Sequence, residues 1–180
     1  KKSKKMNINR FNFSCRKGSL FNKTASLFFC AKISLMMTHT TKSFKETEEL
    51  AQEFVSSIVP LENQAKVMGL RGELGAGKTT FVKCVAKALK IKETVTSPTF
   101  IIEKIYSLPK ENKFKKLIHI DAYRLNSGDD LLTLGWEEIL NNPENLIFIE
   151  WPERVENILP KEIQNIQFEF VDDSTRMISL

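Results

Sequence analysis

Eight residues near the middle of the chain constrain its fold more than any other stretch. Residues 72–79 read Gly-Glu-Leu-Gly-Ala-Gly-Lys-Thr, which matches the phosphate-binding loop pattern G-x-x-x-x-G-K-T. Its glycines allow a tight turn, so that successive backbone N–H groups point toward one anion. The pattern predicts a helix from about Lys78, whose N-terminal N–H groups face the same phosphates. We expect Lys78 to contact the β- and γ-phosphates and Thr79 to offer its hydroxyl to Mg²⁺.

The residues on either side of this loop fit the strand–loop–helix context that the pattern requires. Residues 66–70 form a short, mostly apolar run that is typical of a buried strand. Residues 80–89 place apolar side chains on one helical face, namely Phe81, Val85, Ala88 and Leu89. The sequence therefore predicts a nucleotide-binding loop between a buried strand and an amphipathic helix.

Charge is distributed unevenly along the 180 residues. Residues 1–36 contain nine of the 27 lysines and arginines and no acidic residue. The other 18 basic residues are outnumbered by 22 acidic ones, so residues 37–180 carry a net charge of −4. The composition therefore does not predict direct RNA binding by this part of the chain.

The basic segment also lacks clear hydrophobic periodicity. We expect residues 1–36 to be an extension with little fixed structure, and residues 37–180 to be one P-loop ATPase domain. An upstream extension or a mis-assigned start explains the segment, while an organelle-type presequence shares its composition. No apolar run is long enough to span a membrane, and we expect a cytoplasmic protein with no membrane contact.

Helical and strand patterns alternate through the remaining residues. Ser43 and Glu46 fit a capping box for a helix that ends at about Ile58, and residues 129–140 fit one or two short helices broken at Gly135. Strand patterns cover residues 100–106, 117–121, 146–150, 166–171 and 177–180. Because short loops join several consecutive strands, the sheet should be mixed. The predicted class is α/β, a P-loop NTPase three-layer fold with a mixed central β-sheet.

Two predicted strands end in an acidic residue, Asp121 and Glu150. The carboxyl ends of buried strands open on the ligand crevice of such folds. Nucleotide hydrolysis needs an acid that orients magnesium and a group that positions water. We expect one carboxylate to serve each role, and the residues alone leave open which does which.

Several other features allow more than one interpretation. Residues 96–99, Thr-Ser-Pro-Thr, are typical of a turn, or of a switch whose hydroxyls contact metal or γ-phosphate. Trp151 fits a core aromatic, a site residue or a partner contact, and Tyr123 shares this ambiguity. His119 lies between two isoleucines, so its side chain should face the side of the strand opposite to theirs. His39 should lie in a flexible stretch. Neither histidine is assigned a role.

Four motifs in order resemble those of one family, TsaE (also called YjeE). They are Gly-Glu-Leu-Gly-Ala-Gly-Lys-Thr-Thr at 72–80, Ser-Pro-Thr-Phe at 97–100, His-Ile-Asp-Ala-Tyr-Arg-Leu at 119–125 and Ile-Glu-Trp-Pro at 149–152. The resemblance covers about residues 40–180. It implies a P-loop ATPase of bacterial tRNA threonylcarbamoyladenosine biosynthesis that binds ATP and Mg²⁺ and associates with a TsaB–TsaD pair.

The resemblance also implies a division of labour. ATP hydrolysis by the TsaE-like subunit would reset the complex between turnovers, while TsaD transfers the threonylcarbamoyl group to adenosine 37 of tRNA. Thr79 and Glu150 would hold magnesium, Asp121 would serve hydrolysis, and Trp151 would lie at the site. Ser43 would lie near the nucleotide base, although its role as N-cap of the predicted helix explains this residue equally well. Arg176 is a weaker candidate for a place near the nucleotide. The phosphate-binding residues would be Gly75, Ala76, Gly77, Lys78, Thr79 and Thr80.

A small-molecule or nucleotide kinase is the alternative. Such kinases often carry arginine-rich lid segments. After the loop, this sequence offers only Arg124 and Arg154 as plausible phosphate-side arginines, and no obvious lid. The sequence therefore favours an ATPase over a kinase.

Overall fold

A seven-stranded mixed β-sheet organises the residues that the computed structural model describes, which are 36–93 and 102–180. The strands are β1 (Thr38–Thr41), β2 (Lys66–Arg71), β3 (Glu103–Ser107), β4 (Lys116–Asp121), β5 (Asn145–Glu150), β6 (Gln164–Phe170) and β7 (Arg176–Ser179). The α-helices are α1 (Phe44–Ser57), α2 (Lys78–Ala88), α3 (Gly128–Leu132) and α4 (Trp136–Leu140). Short 3-10 helices cover Ala122–Arg124, Pro152–Arg154 and Glu156–Ile158.

The strand order is β1-β7-β6-β2-β5-β4-β3. β2 pairs in parallel with β5 and β6, and β4 pairs in parallel with β5, whereas the pairings at both ends of the sheet are antiparallel. The predicted mixed sheet is confirmed. β2, which leads into the glycine-rich loop, lies at the centre of the sheet, so the loop opens at its middle.

Alternating side chains of the central strands build one core on each face of the sheet. Met68 and Leu70 of β2 pack in the cluster that includes Phe81 of α2 and buried residues of α1. Val67 of β2 packs on the opposite face in the cluster that includes Trp136 of α4. Helices therefore cover both faces, and the predicted three-layer α/β arrangement is confirmed.

The first helix begins where the capping pattern predicts. Ser43 Oγ accepts a hydrogen bond from the Glu46 backbone N–H at 3.2 Å. Glu46 Oε2 accepts one from the backbone N–H of Lys42, one residue before the cap, at 2.8 Å. The apolar side chains Leu50, Ala51 and Phe54 of α1 are buried, as is Ile58 at its C-cap.

One prediction is wrong, since His39 does not lie in a flexible stretch. It belongs to β1, where it pairs with Ile178 of β7 in an antiparallel register. Its four-residue strand, Thr-His-Thr-Thr, has no apolar alternation, so only pairing with the other end of the domain defines it.

Several predictions concern residues that are not described. The basic segment up to residue 35, the candidate switch at 96–99 and the start of the strand predicted at 100–106 lie outside the described residues. The described part of that strand begins at Glu103. Within residues 36–93 and 102–180, no helix is both long and apolar enough to cross a membrane.

The glycine that follows β2 yields a first prediction. Gly72 has φ +139°, and a Cβ there would lie 2.3 Å from the carbonyl oxygen of Phe168. Gly135 also has a positive φ, but its Cβ would meet no heavy atom of the described residues within 4 Å. We expect Gly72→Ala to lower the free energy of unfolding by roughly 2–5 kcal/mol and Gly135→Ala by about 1–2 kcal/mol. Urea denaturation measures both, and equal losses would contradict this account of Gly72.

Candidate functional site

The glycine-rich loop joins the centre of the sheet to the start of α2. Three of its residues, Gly72, Gly75 and Gly77, have positive φ angles of 139°, 81° and 103°. Gly77 is the N-cap of α2 and offers no side-chain hydrogen bond to the helix. The first N–H groups of α2 are therefore left for another acceptor, and an anion is the acceptor that a helix N-terminus favours.

Lys78 is buried in the loop, with 4 % of its surface exposed. Its Nζ donates hydrogen bonds to the carbonyl oxygens of Gly72, at 2.6 Å, and Glu73, at 2.9 Å. The same ammonium lies 4.0 Å from the centre of the Trp151 ring. These partners are neutral, so phosphate oxygens would replace them with stronger charge-assisted hydrogen bonds.

Burial also acts on the charge of Lys78. Desolvation lowers the pKa of Lys78, and nearby carboxylates oppose that shift, first among them Glu150 and then Glu153, Asp121 and Glu73. The ammonium thus lies in a field of negative charge. An arriving polyphosphate would add to this negative field, which is a reason for a metal cation to accompany it.

Thr79 and Glu150 form a direct pair at the first turn of α2. The Thr79 hydroxyl donates a hydrogen bond to Glu150 Oε1 at 2.7 Å. Glu150 is 4 % exposed, and the same oxygen lies 2.8 Å from Nε2 of the buried His119. Strands β4 and β5 and helix α2 each supply one of these three side chains.

Asp121 lies beside Glu150 because the register of β4 and β5 pairs the two residues. Its Oδ1 accepts a hydrogen bond from the backbone N–H of Tyr123 at 3.1 Å and so caps the 3-10 helix after β4. The centre of the Tyr123 ring lies 5.1 Å from the centre of the Trp151 ring. Trp151 has φ +60° and ψ +50°, a left-handed conformation that turns the chain directly after β5. The Trp151 ring lies beside Lys78.

Two clefts adjoin the loop, and Gly75, Gly77 and Thr80 line both. The smaller cleft, of about 260 Å³, contains the carboxylates, and its other lining residues are Leu74, Lys78, Thr79, Asp121, Tyr123, Glu150 and Trp151. The larger cleft, of about 320 Å³, extends from Ala76 to Ser43 and Arg176. Every described residue that the family resemblance assigned to the site therefore borders one of the two adjoining clefts.

The oxygen atoms of the smaller cleft suit magnesium. Mg²⁺ prefers oxygen ligands, retains several waters and is usually held by one or two protein groups together with substrate phosphates. The Thr79 hydroxyl and the Glu150 carboxylate, 2.7 Å apart, are donors of this kind. Among the described residues, no group of three or more His, Cys, Asp or Glu could hold a metal ion alone. The site fits a cation shared between protein and phosphate.

Comparison with known proteins identifies the family. Residues 41–178 match the family model described as "Threonylcarbamoyl adenosine biosynthesis protein TsaE". This chain belongs to the TsaE family. The resemblance inferred from the four sequence motifs is therefore confirmed, and with it membership of a family of tRNA threonylcarbamoyladenosine biosynthesis.

Individual relatives match most of the TsaE-family region. TsaE from Rickettsia prowazekii is 36 % identical over 143 residues, which cover 79 % of this chain and 92 % of that protein. TsaE from Aquifex aeolicus is 38 % identical over 137 residues, which cover 75 % and 91 %. The crystal structure of YdiB from Bacillus subtilis matches with a TM-score of 0.62 at 30 % identity, covering 80 % of this chain and 83 % of that one.

Sequence reasoning assigned no role to His119 or Leu74 of this TsaE site, and it left Tyr123 open between a core aromatic, a site residue and a partner contact. His119 had no assigned role, yet its place two residues before Asp121 puts it on the same face of β4, toward Glu150. Tyr123 and Leu74 line the smaller cleft, and Leu74 is 79 % exposed at the loop. The period-2 alternation of β4 indicated that His119 shares a face of the strand with Asp121. Nothing in the sequence indicated the direction of the Leu74 side chain in the loop.

The position of Lys78 predicts a selective loss of ATP binding. If Lys78 binds phosphate oxygens as the loop pattern predicts, Lys78→Ala removes charge-assisted contacts worth roughly 1.5–3 kcal/mol, and the dissociation constant for ATP with magnesium should rise about 10–150-fold. Lys83→Ala is the matched control, because Lys83 lies on the same helix but is exposed. Calorimetry measures both, and unchanged affinity in Lys78→Ala would contradict the assignment.

Proposed function

We propose that this TsaE-family protein is the ATP-binding and ATP-hydrolysing subunit that supports threonylcarbamoylation of adenosine 37 in tRNA. The observation that carries the proposal is the meeting of Lys78, Thr79, Glu150 and Asp121 in one cleft. A loop for phosphate, an oxygen pair for magnesium and a second carboxylate are the parts that nucleotide hydrolysis requires. Family membership supplies the link to tRNA modification.

Each residue then has a distinct task. The N–H groups from Gly75 to Thr80 bind the phosphates, and Lys78 exchanges its carbonyl partners for β- and γ-phosphate oxygens. Thr79 and Glu150 hold Mg²⁺, which when bound neutralises charge that develops on the phosphate oxygens. Asp121 faces the same cleft and orients the attacking water. Glu150 is assigned to the metal because it, and not Asp121, bonds the Thr79 hydroxyl.

The larger cleft is the place for the nucleoside. It continues from the loop past Ser43 toward Arg176, and Phe44 and Phe168 add apolar surface to its lining. The Ser43 hydroxyl oxygen already accepts the hydrogen bond that caps α1. We therefore assign Ser43 a contact at the edge of the base rather than an interaction with a charged group. In this proposal the base and the reacting phosphate occupy two different clefts, which share Gly75, Gly77 and Thr80 of the loop region.

The acidic charge of the domain argues for action through partners. Residues 37–180 carry a net charge of −4, which repels tRNA phosphates. We propose that TsaB-like and TsaD-like proteins contact the tRNA, that TsaD carries out the transfer, and that this chain hydrolyses ATP slowly without them. Leu74 and Tyr123, which line the smaller cleft, are exposed apolar surface that such partners can cover.

Turnover with purified components tests the proposal. Released phosphate should be slow for the chain alone and faster with cognate TsaB and TsaD. Asp121→Ala should bind ATP but lose the stimulated turnover, whereas the exposed Asp129 lies outside the cleft lining and Asp129→Ala should behave as the wild type. Stimulation that persists in Asp121→Ala would refute the role of this carboxylate. Phosphoryl transfer to a small-molecule acceptor, instead of phosphate release, would indicate a kinase.

A further inference from the structure

A buried histidine lies directly behind the proposed magnesium ligands. His119 is 0 % exposed, and its Nε2 lies 2.8 Å from Glu150 Oε1. That oxygen also accepts the Thr79 hydroxyl hydrogen bond at 2.7 Å. One carboxylate oxygen therefore joins a residue of the sheet interior to the first turn of the phosphate-binding helix.

The hydrogen-bond partners of His119 select one form of its ring. An ionised carboxylate only accepts hydrogen bonds, so Nε2 carries the proton that it donates to Glu150. Nδ1 is buried and has no hydrogen-bond partner among the residues that the structure describes. The contact with Glu150 therefore selects a ring that carries a proton on Nε2.

The sheet leaves this pair little freedom to rearrange. β4 and β5 are parallel and in register, with His119 opposite Phe148 and Asp121 opposite Glu150. Leu117 and Phe148, which are buried in the core shared with α2, lie on the same face behind the pair. Packing therefore restricts the imidazole that contacts the Glu150 carboxylate.

We propose that His119 is a positioning residue that holds Glu150 Oε1 in the orientation in which Glu150 and Thr79 together bind magnesium. The inference rests on the proposed function, because it takes the metal site from there. His119 itself contacts neither phosphate nor metal; it acts only through the carboxylate. Hydrogen-bond partners of metal-binding side chains typically contribute 10–100-fold to metal affinity.

The test compares ATP affinity with and without magnesium in the 180-residue chain. Calorimetry with ATP in Mg²⁺ and with ATP in EDTA gives the gain in affinity that magnesium provides. His119→Leu removes the donor, and we expect the magnesium-dependent gain to fall about 10–100-fold while affinity in EDTA stays unchanged. His119→Gln retains an N–H donor of similar reach and should restore most of the gain.

His39→Gln is the control, because His39 lies on the edge strand β1 and outside the lining of both clefts. An unchanged gain in His119→Leu would overturn the inference, as would an equal loss of affinity in Mg²⁺ and in EDTA. Failure of a folded His119→Gln to restore the gain would also overturn it. If the wild type shows no gain with magnesium, the magnesium part of the proposed function is wrong instead.

Nitrogen-15 NMR of the wild type decides the matter if His119→Leu does not fold. The chain has two histidines, so the His39→Gln spectrum assigns both. We expect the His119 ring to carry a slowly exchanging proton on Nε2, and its signals to shift on addition of ATP with Mg²⁺ but not of ATP in EDTA. A ring without a proton on Nε2, or ring signals that do not respond to magnesium, would refute the positioning role.

Discussion

The parallel pairing of β2, β5 and β4 is the constraint on which the rest of the structure depends. It places Leu70 opposite Glu150 and Glu150 opposite Asp121, so both carboxylates lie at the edge where the glycine-rich loop leaves the sheet. Helix α2 begins where the loop ends, over the same edge of the sheet, and the first turn of α2 brings Thr79 to Glu150. A shift of one residue in either pairing would turn the acids to the opposite face of the sheet.

At this edge of the sheet, buried charged groups of both signs lie close together, each stabilised by polar or aromatic partners. The Lys78 ammonium, the Glu150 carboxylate and the Asp121 carboxylate are all less than a tenth exposed. Neutral carbonyls and the Trp151 ring hold the ammonium, while a hydroxyl and an imidazole hold one carboxylate. The interior therefore keeps both signs of charge oriented before any ligand arrives, which would reduce the reorganisation that the proposed nucleotide binding and hydrolysis require.

Local pattern was sufficient for much of this architecture, since the loop, α1, α2 and the central strands all carry strong periodic or capping signals. It was insufficient where structure arises from distant contacts. β1 lacks apolar alternation and exists through its pairing with β7. The choice of Glu150 rather than Asp121 as the partner of Thr79 depends on how α2 lies over the sheet, and the bond from His119 depends on the register of two strands. Neither is encoded within a few residues.

Threonylcarbamoyladenosine in the tRNA of the host cell is the most direct measure of the central claim, that ATP hydrolysis in this cleft sustains tRNA modification. Cells depleted of the protein should lose the modified nucleoside, as quantified by mass spectrometry of digested tRNA. The wild-type chain should restore it, and a Glu150→Gln chain at equal abundance should not, because its amide cannot supply the anionic ligand. Normal levels after depletion, or full restoration by Glu150→Gln, would contradict the account.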